Sequence, residues 1–456
     1  MKKFFSTIQY ILPLFYLAVV SLPAAAQQSA PYEMTVSGVK VIVQPSNNDI
    51  VEIQTVIKGG VQNYPFTKQG IESLAMTALT ECGTKNDTKN EFKNKLDKMS
   101  AQVNGTAAKN FSSVSMNCIK GDFDAVWSLY ADAIAAPVFN EAEFNRVKQD
   151  AVNNLRAQES QPDVAIDNFA RQTAFAGKNN AKRPEGTAAT VSALTAAETK
   201  GYYQSILTKS RMLIVVVAEL DKVLLEEKIK AMLANVPEGK PFVLKKESIA
   251  PVKNSFTPQK KELATNYIQA VTGAPLPGSD EYNAFQLAMR IFSQRHFVEI
   301  RTKNGLSYAP QSWFDGGASP SANIAVSTTE PDKYINVLKT LVNKTKKEGF
   351  TEDELKNVKT SYLTRFFYGQ ETNAAQAGSL AANEVLHNNW KRSITISDDM
   401  KKVSLAELNA VFNKYVNNMV WAYQGNPAKV TAALFTGASS KKASLPKPKL
   451  QINKKD

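Results

Sequence analysis

Two residues in the second half of the chain, Arg301 and Tyr308, carry side chains suited to binding a carbonyl or carboxylate group. A guanidinium offers parallel N–H donors to such oxygens, and a phenol can donate to a carbonyl or to an oxyanion. The two residues are seven positions apart and flank Gly305 and Leu306. From composition alone, the simpler interpretation is a surface arginine after a helix and a tyrosine at the start of a strand.

The residue types that most often bind metals are scarce in this chain. It has two histidines, His296 and His387, and two cysteines, Cys82 and Cys118. The histidines are too few and too far apart to suggest a site, so each is predicted to be a hydrogen-bonded core or surface residue. The cysteines could form a disulfide in an exported protein or could be two separately buried thiols, and the sequence leaves both interpretations open.

A helix predicted over residues 67–84 is the element around which the first half of the chain is organised. Its apolar residues recur at the spacing of one helix face, and Gly83 stands where a C-terminal cap is expected. The helix also carries Glu72 and Glu81, nine positions apart, which we predict to be solvated. The apolar face consists of Ile71, Leu74, Ala75, Ala78 and Leu79.

The sequence around this helix predicts a module of strands and helices, residues 30–236. Strand patterns occur at 39–44, 50–58, within 101–119 and at 211–220. Helical patterns occur at 86–100, 122–136, 140–158, 165–174, 195–207 and 222–234. A stretch rich in Pro and Lys follows at residues 237–261 and predicts an interdomain linker.

The plan repeats after the linker, in a C-terminal module predicted over residues 262–436. Strands are predicted at 266–272, 306–315, 322–328 and 420–424, and helices at 280–297, 331–348, 352–368, through residue 384 and at 405–416. Both modules end in strand, turn and helix, which indicates a diverged internal duplication with a long period. The predicted fold class is therefore α+β: two homologous modules, each a mostly antiparallel sheet backed by helices.

The two ends of the chain are predicted to lie outside the fold. Residues 1–26 combine a basic start, an apolar stretch and small residues at the cleavage point, which predicts a signal peptide and a periplasmic or extracellular protein without a transmembrane span. Residues 437–456 are rich in lysine and predict a disordered tail. The formal net charge is +13, but the basic residues are scattered, so no nucleic-acid partner is predicted.

The order of elements around the helix at 67–84 resembles the pitrilysin/insulinase family of zinc metallopeptidases. In that family a helix reading roughly Gly-Leu-x-His-x-x-Glu-His-x-Leu, with Gly-Thr soon after, follows a similar pair of strands. This chain keeps the frame at Gly70-Ile71, Leu79 and Gly83-Thr84. The resemblance covers nearly all of the chain after the signal peptide, and it implies a fold that forms half of a clamshell.

The same resemblance implies that the metal site is degenerate. Ser73 and Thr77 stand at the positions of the two zinc-binding histidines, and Met76 stands at the position of the catalytic glutamate. Asn154 aligns with the third ligand, a glutamate, and Val147 with a second acidic position. Hydroxyl groups are poor zinc ligands and Met cannot accept a proton, so no metal is expected in this chain and an active single-chain peptidase is not predicted.

The segment from Phe292 to Tyr308 is closer to the family than any other stretch. It looks like the family's Ser-Arg-Leu-(x)-Arg-Glu-x-x-Gly-Leu-x-Tyr segment, with Arg301 and Tyr308 at the Arg and Tyr positions. Family members project these two side chains from the C-terminal module toward peptide bound at the zinc site. The resemblance therefore implies a substrate-binding role for the pair.

Loss of the metal ligands with retention of the Arg and Tyr is the pattern of one chain in two-subunit members of this family. The resemblance thus implies a non-catalytic, substrate-binding subunit of an exported heterodimeric metallopeptidase that degrades or processes peptides. Its partner would be a homologous subunit that carries the zinc. The alternative is a metal-free peptide-binding or scaffold protein that forms a homodimer.

Overall fold

The computed structural model describes residues 30–437, which form two helix-backed sheets. The predicted signal peptide and residues 438–456 of the predicted tail lie outside this range. The first sheet has the strand order β1-β2-β6-β3-β5-β4. Its strands are β1 (Tyr32–Val36), β2 (Val39–Gln44), β3 (Ile50–Lys58), β4 (Gln102–Ala107), β5 (Phe111–Ile119) and β6 (Met212–Val217). All six residues of β6 are buried, because helices cover both faces of the sheet at this strand.

The second sheet repeats the first in strand order and direction. Its order is β7-β11-β8-β10-β9. Each sheet contains one parallel pair, β2 with β6 and β7 with β11, and the pairs that follow across each sheet are antiparallel. The strands are β7 (Ser255–Lys260), β8 (Asn266–Gly273), β9 (Gln311–Asp315), β10 (Ser321–Thr328) and β11 (Val420–Gly425). This match supports the predicted duplication and confirms the predicted fold class.

Eight helices belong to the first module and seven to the second within the described range. Those of the first are α1 (Ile71–Glu81), α2 (Lys89–Lys98), α3 (Phe123–Ala135), α4 (Glu141–Glu159), α5 (Pro162–Ala174), α6 (Ala188–Ser192), α7 (Ala196–Ile206) and α8 (Lys222–Met232). Those of the second are α9 (Glu281–Phe297), α10 (Pro331–Glu348), α11 (Glu352–Tyr368), α12 (Asn373–His387), α13 (Arg392–Lys402), α14 (Leu405–Tyr415) and α15 (Ala432–Thr436). In the repeat, α9 follows β8 as α1 follows β3, and α11 takes the place of α4.

Each module lends one helix to the other. Helix α12 of the second module packs its Ala377, Leu380 and Ala381 on the outer face of the first sheet, against residues such as Val56 and Val215. Helix α5 of the first module covers the second sheet in the same way, through Ile166 and Ala170 against Val271 and Ala422. These contacts bury apolar side chains from both modules, so two smaller apolar clusters join the modules while each main core lies within one module.

Polar contacts fix the position of α12 on the first sheet. The side-chain amide of Asn373, at the start of the helix, donates to the backbone carbonyls of Ile50 and Val217, at 2.7 and 3.1 Å. Lys40 in β2 forms an ion pair with the buried Glu384 at 2.7 Å. These bonds satisfy buried polar groups across the junction, and they hold α12 in one register on the sheet.

Several segments differ from the sequence-based prediction, which did not include helices α6 and α13. The predicted linker, residues 237–261, ends in β7, the counterpart of β2; this strand lies at a sheet edge and none of its residues is buried, so it lacks the pattern of a buried strand. Strand β1 was not predicted. The strand predicted over residues 306–315 begins only at Gln311, because a π-helical turn, Val298–Lys303, and an irregular loop precede it.

No helix within residues 30–437 combines the length and the apolar character needed to cross a membrane.

Candidate functional site

Helices α1 and α4 enclose the cleft at which the sequence predicts a degenerate metal site. The cleft has a volume of about 310 Å³, and Ser73, Thr77, Val147 and Asn154 all line it. Ser73 and Thr77 lie one turn apart on α1, and Asn154 faces them from α4. The structure therefore brings two positions on α1 together with two on α4, although the two helices are about 70 residues apart in the sequence.

Met76 lies elsewhere. Its side chain is fully buried in the core of the first module, and it does not line the cleft. Its backbone carbonyl faces β4, where a Cβ atom at Gly105 would lie 2.1 Å from the Met76 oxygen. Only glycine permits this close approach of strand and helix. The position of the family's catalytic base is thus occupied by a core side chain.

The donor set of the cleft does not fit zinc. The Thr77 hydroxyl donates to the Ser73 carbonyl at 3.0 Å, so it is engaged with its own helix. The remaining donors at the three ligand positions are a hydroxyl and a carboxamide, which zinc rarely accepts. Within residues 30–437, no three His, Cys, Asp or Glu side chains come together as a possible metal-binding group.

Three carboxylates, those of Glu81, Asp150 and Glu185, also line the cleft, but cations engage all three. Arg183 binds Glu185 at 2.9 Å. Arg146 on α4 binds Glu81 at 3.0 Å, Glu143 at 2.9 Å and Asp150 at 3.1 Å. Lys93 binds Glu81 at 2.7 Å. Burial opposes ionisation of Glu81, but its bonds to Lys93 and Arg146 outweigh burial and hold the pKa of that carboxyl below its usual value.

Sequence analysis missed this network around Arg146, although a signal was present. Glu143, Arg146 and Asp150 follow one another at spacings of three and four, which places them on one face of a helix. The contact with Glu81 required the packing of α4 against α1, which spacing alone does not give.

Glu72, predicted to be solvated, is buried, with 1% of its surface exposed. Its carboxylate accepts hydrogen bonds from Ser112 and Tyr202, and from Asn63 at 3.0 Å. Burial raises the pKa of Glu72 and the three donors oppose that rise. The prediction was wrong because Tyr202, from α7, and Ser112, from β5, reach the helix from distant parts of the chain. Glu81, predicted to be solvated as well, is only partly exposed and ion-paired.

Arg301 and Tyr308 lie together at the end of α9. The Arg301 guanidinium stacks on the Tyr308 ring at 4.0 Å and lies 5.1 Å from the Phe297 ring. The chain reverses at Gly305, whose φ of 60° belongs to the left-handed region. A bond from the Leu306 amide to the Ile300 carbonyl, 3.0 Å long, closes the turn.

The Arg301–Tyr308 pair has unused binding capacity. Tyr308 is 79% exposed, and within the described part of the chain Arg301 forms no ion pair. Stacking on the tyrosine fixes the plane of the guanidinium while its N–H edge remains available to a ligand. This arrangement can bind a carbonyl or carboxylate from outside the chain.

The histidines and cysteines have structural roles in the described fold. His296 is buried, bonded to Tyr334 at 3.1 Å and Ser312 at 2.9 Å, and burial lowers its pKa to about 3, as expected for a core histidine. His387 packs edge-on against the Tyr282 ring, and burial lowers its pKa to about 4. Cys82 and Cys118 are both free thiols in the core, which matches the second of the two interpretations.

The two sheets, the cleft between α1 and α4 and the exposed Arg–Tyr pair define the chain as a two-module α+β protein. A sequence model described as insulinase (peptidase family M16) matches residues 40–188, and one described as peptidase M16 inactive domain matches residues 193–362. The chain belongs to the insulinase, or pitrilysin, family, as the sequence resemblance predicts.

Similar proteins fit this assignment. An uncharacterized zinc protease of Mycobacterium leprae is 20% identical over 342 residues, 71% of this chain and 75% of that protein. The crystal structure of a peptidase M16 inactive domain from Pseudomonas fluorescens superposes with a TM-score of 0.77 at 18% identity, covering 87% of this chain and 98% of that one. The periplasmic protease PqqL from Escherichia coli gives a TM-score of 0.74 at 14% identity over 92% of this chain, which spans 49% of that protein.

Proposed function

We propose that this chain is the non-catalytic, substrate-binding subunit of an exported heterodimeric zinc metallopeptidase. In this arrangement a homologous partner supplies the metal and the base. This chain supplies Arg301 and Tyr308 and one wall of the chamber in which a peptide is degraded or processed. The predicted signal peptide supports a periplasmic or extracellular location for the complex.

The observation that carries the proposal is the contrast between the α1–α4 cleft and the Arg301–Tyr308 pair. The cleft gathers the positions that the resemblance assigns to the metal site but carries no ligands suited to zinc, whereas the pair is ordered by stacking and exposed to a ligand. A chain that kept no role in peptide binding would have no need to hold an arginine on an exposed tyrosine next to a glycine turn. The family domain described as inactive matches residues 193–362, the part of the chain that contains Arg301 and Tyr308.

The experiment is purification of the tagged mature chain from its native compartment, followed by mass spectrometry of the proteins that accompany it. We expect a stoichiometric partner of similar size with a His-x-x-Glu-His helix. Recovery of the chain alone or with itself would reject the heterodimer and favour the metal-free peptide-binding homodimer.

The role of the pair is tested in the assembled complex with R301A and Y308F. Each should lower turnover of a peptide by about tenfold or more, because a donor to the reacting peptide is lost. Assembly, followed by gel filtration, should not change. The matched control is K303A, because Lys303 lies in the same turn and is already paired with Glu299 at 2.9 Å. Unchanged turnover in R301A and Y308F complexes would remove the assigned role.

A further inference from the structure

The second module contains a cavity at the place that corresponds to the α1–α4 cleft. It lies between α9 and α11, beside β9, and has a volume of about 590 Å³. This size falls within the range of small-ligand pockets, roughly 300 to 1,000 Å³. Since α9 and α11 are the counterparts of α1 and α4, we call this space the α9–α11 cavity. Neither motif comparison nor periodicity singles it out.

Two arginines line the α9–α11 cavity without a carboxylate partner among residues 30–437. They are Arg290 on α9 and Arg365 on α11. Burial lowers the pKa of the Arg290 guanidinium, and the positive charge of Arg365 lowers it further. Two like charges held close together, one of them partly buried, are stabilised by a bound anion.

The cavity's acidic residue does not neutralise these arginines. Glu354 also lines the space, but Arg295 binds it through two N–H groups, at 2.6 and 2.7 Å. The Thr351 amide donates to the same carboxylate at 2.8 Å. Because the Arg295 guanidinium and the Thr351 amide already bind the Glu354 carboxylate, the positive charge of Arg290 and Arg365 remains uncompensated.

The rest of the lining suits an organic anion. The Arg290 guanidinium lies over the Tyr362 ring at 5.2 Å, which orients its donors. Trp313 and Phe314 of β9, with Val358 of α11, add an apolar wall. Polar groups that can accept or donate further bonds come from Gln286, Ser293, Gln294, Asn357 and Ser361. A ligand that carries both a negatively charged group and an apolar group fits this mixture of arginines and apolar side chains better than an inorganic ion does.

We propose that the α9–α11 cavity binds the carboxylate of a peptide, with Arg290 and Arg365 as its ligands. The carboxylate can be the C-terminus of the peptide or an acidic side chain, since both present the same two oxygens to the guanidinium groups. The choice of a peptide as the source rests on the proposed function; the anion site itself rests on the unpaired arginines and the cavity around them.

The test is isothermal titration calorimetry on the isolated mature chain with three peptides and one salt. The peptides are acetyl-Ala-Ala-Phe as the free acid, the same peptide as its C-terminal amide, and acetyl-Ala-Glu-Ala-Phe amide. The salt is sodium phosphate. We expect the free acid to bind at least about tenfold more tightly than its amide, because charge-assisted bonds to two arginines are lost in the amide. Binding of the glutamate peptide would show that side-chain carboxylates are also a source.

The variants R290Q and R365Q should each weaken peptide binding by about tenfold or more. K356Q is the matched control, because Lys356 is exposed on the same helix and does not line the cavity. Circular dichroism checks the fold of each variant, and R365Q, at an exposed position, provides a test even if R290Q is unstable. Peptide binding unaffected by both arginine substitutions would overturn the proposal, as would binding of phosphate alone or no binding.

This outcome can be separated from that of the proposed function. Titration uses the chain without a partner, whereas the role of Arg301 and Tyr308 is measured as turnover of the complex. Loss of turnover in R301A with no peptide binding in the isolated chain would leave the proposed function standing and reject the α9–α11 site.

Discussion

The α1–α4 cleft and the α9–α11 cavity are formed by equivalent helices of the two modules, yet they carry opposite arrangements of charge. In the first, Arg146 is shared among three carboxylates, and Lys93 adds a further ion pair. In the second, Glu354 is bound by Arg295, and Arg290 and Arg365 have no carboxylate partner within the described chain. The comparison teaches that equivalent helices of a duplicated framework can hold a compensated network of charges in one copy and unpaired arginines in the other.

The largest expected effect is on zinc affinity, when metal ligands are introduced into the α1–α4 cleft. The triple variant S73H/T77H/N154E places two imidazoles one turn apart on α1, facing a carboxylate on α4. These ligands suit zinc, so we expect zinc affinity to rise by at least about a thousandfold over the unmodified chain. Equilibrium dialysis with zinc measures it.

The control for the rebuilt cleft is S73A/T77A/N154A, which alters the same positions without adding ligands and should retain no zinc. A folded histidine-glutamate variant that also fails to retain zinc would show that the cleft has lost its geometry along with its ligands.

A smaller effect is expected from widening the contact between α1 and β4. In G105A the new methyl group would collide with the Met76 carbonyl, so the free energy of unfolding should fall by about 2 to 3 kcal/mol. The counterpart strand β9 contains no glycine, so this contact is particular to the first module. Urea denaturation measures the loss.

The matched control for this contact is G201A in α7, where a methyl group would meet nothing within 4 Å. We expect a gain of up to about 1 kcal/mol there, because alanine favours the helix. If G105A were as stable as the unmodified chain, α1 would be free to move away from β4, and the backbone contact would not fix the floor of the cleft.

The difference in charge pairing predicts unequal effects at two arginines. R146M should lower the free energy of unfolding by about 1 kcal/mol, because three carboxylates lose their shared cation. R365M should change it by less than about 0.5 kcal/mol, because no ion pair is lost. Urea denaturation near neutral pH measures both. Equal losses would show that the two clefts do not differ in charge compensation.

The smallest expected effect concerns two glutamates of helix α1: Glu72, which is buried in the core, and Glu81, which belongs to the ion-pair network of the cleft. The pKa of Glu72 is raised on folding and that of Glu81 is lowered. Glu81 therefore contributes to the free energy of unfolding above its unfolded pKa, and this contribution is lost as the pH falls through its lowered folded pKa. Glu72 acts in the opposite direction: the free energy of unfolding falls as the pH rises from the unfolded pKa of Glu72 through its raised folded pKa. Relative to the unmodified chain, E72Q should gain stability between about pH 4 and pH 7, and E81Q should lose it.

This pair of variants is measured by urea denaturation across the same pH range. The same pH trend in both variants would contradict the assignment of one carboxylate to the core and the other to the ion-pair network. Each serves as the control for the other, since both replace a glutamate of α1 with its neutral amide.

The sequence was enough to predict the fold class, the duplication and most helices, because those follow from local periodicity. It also located Ser73, Thr77 and Asn154, although only the structure shows that they line one cleft. Strand β7 was assigned to a linker because an exposed edge strand has no alternating apolar pattern. The role of Glu72 could not be predicted, since its partner Tyr202 lies 130 positions away.

The α9–α11 cavity was also beyond sequence-based prediction, for a different reason. Arg290 and Arg365 are ordinary helix residues in the sequence, and only tertiary packing shows that neither meets a carboxylate of residues 30–437. Whether an arginine lacks a carboxylate partner depends on the positions of all the side chains around it, and not on the local sequence. By contrast, Arg301 and Tyr308 lie within one short segment, so a sequence motif was enough to predict that the two residues act together.

The exchange of α5 and α12 between the modules has a consequence for biosynthesis. Within residues 30–437, the apolar outer face of the first sheet, with Val56 and Val215, packs largely against a helix that begins at Asn373. During translation the first module therefore cannot be completed until most of the chain has been made. Until α12 has been made, the uncovered apolar face makes the nascent chain prone to aggregation.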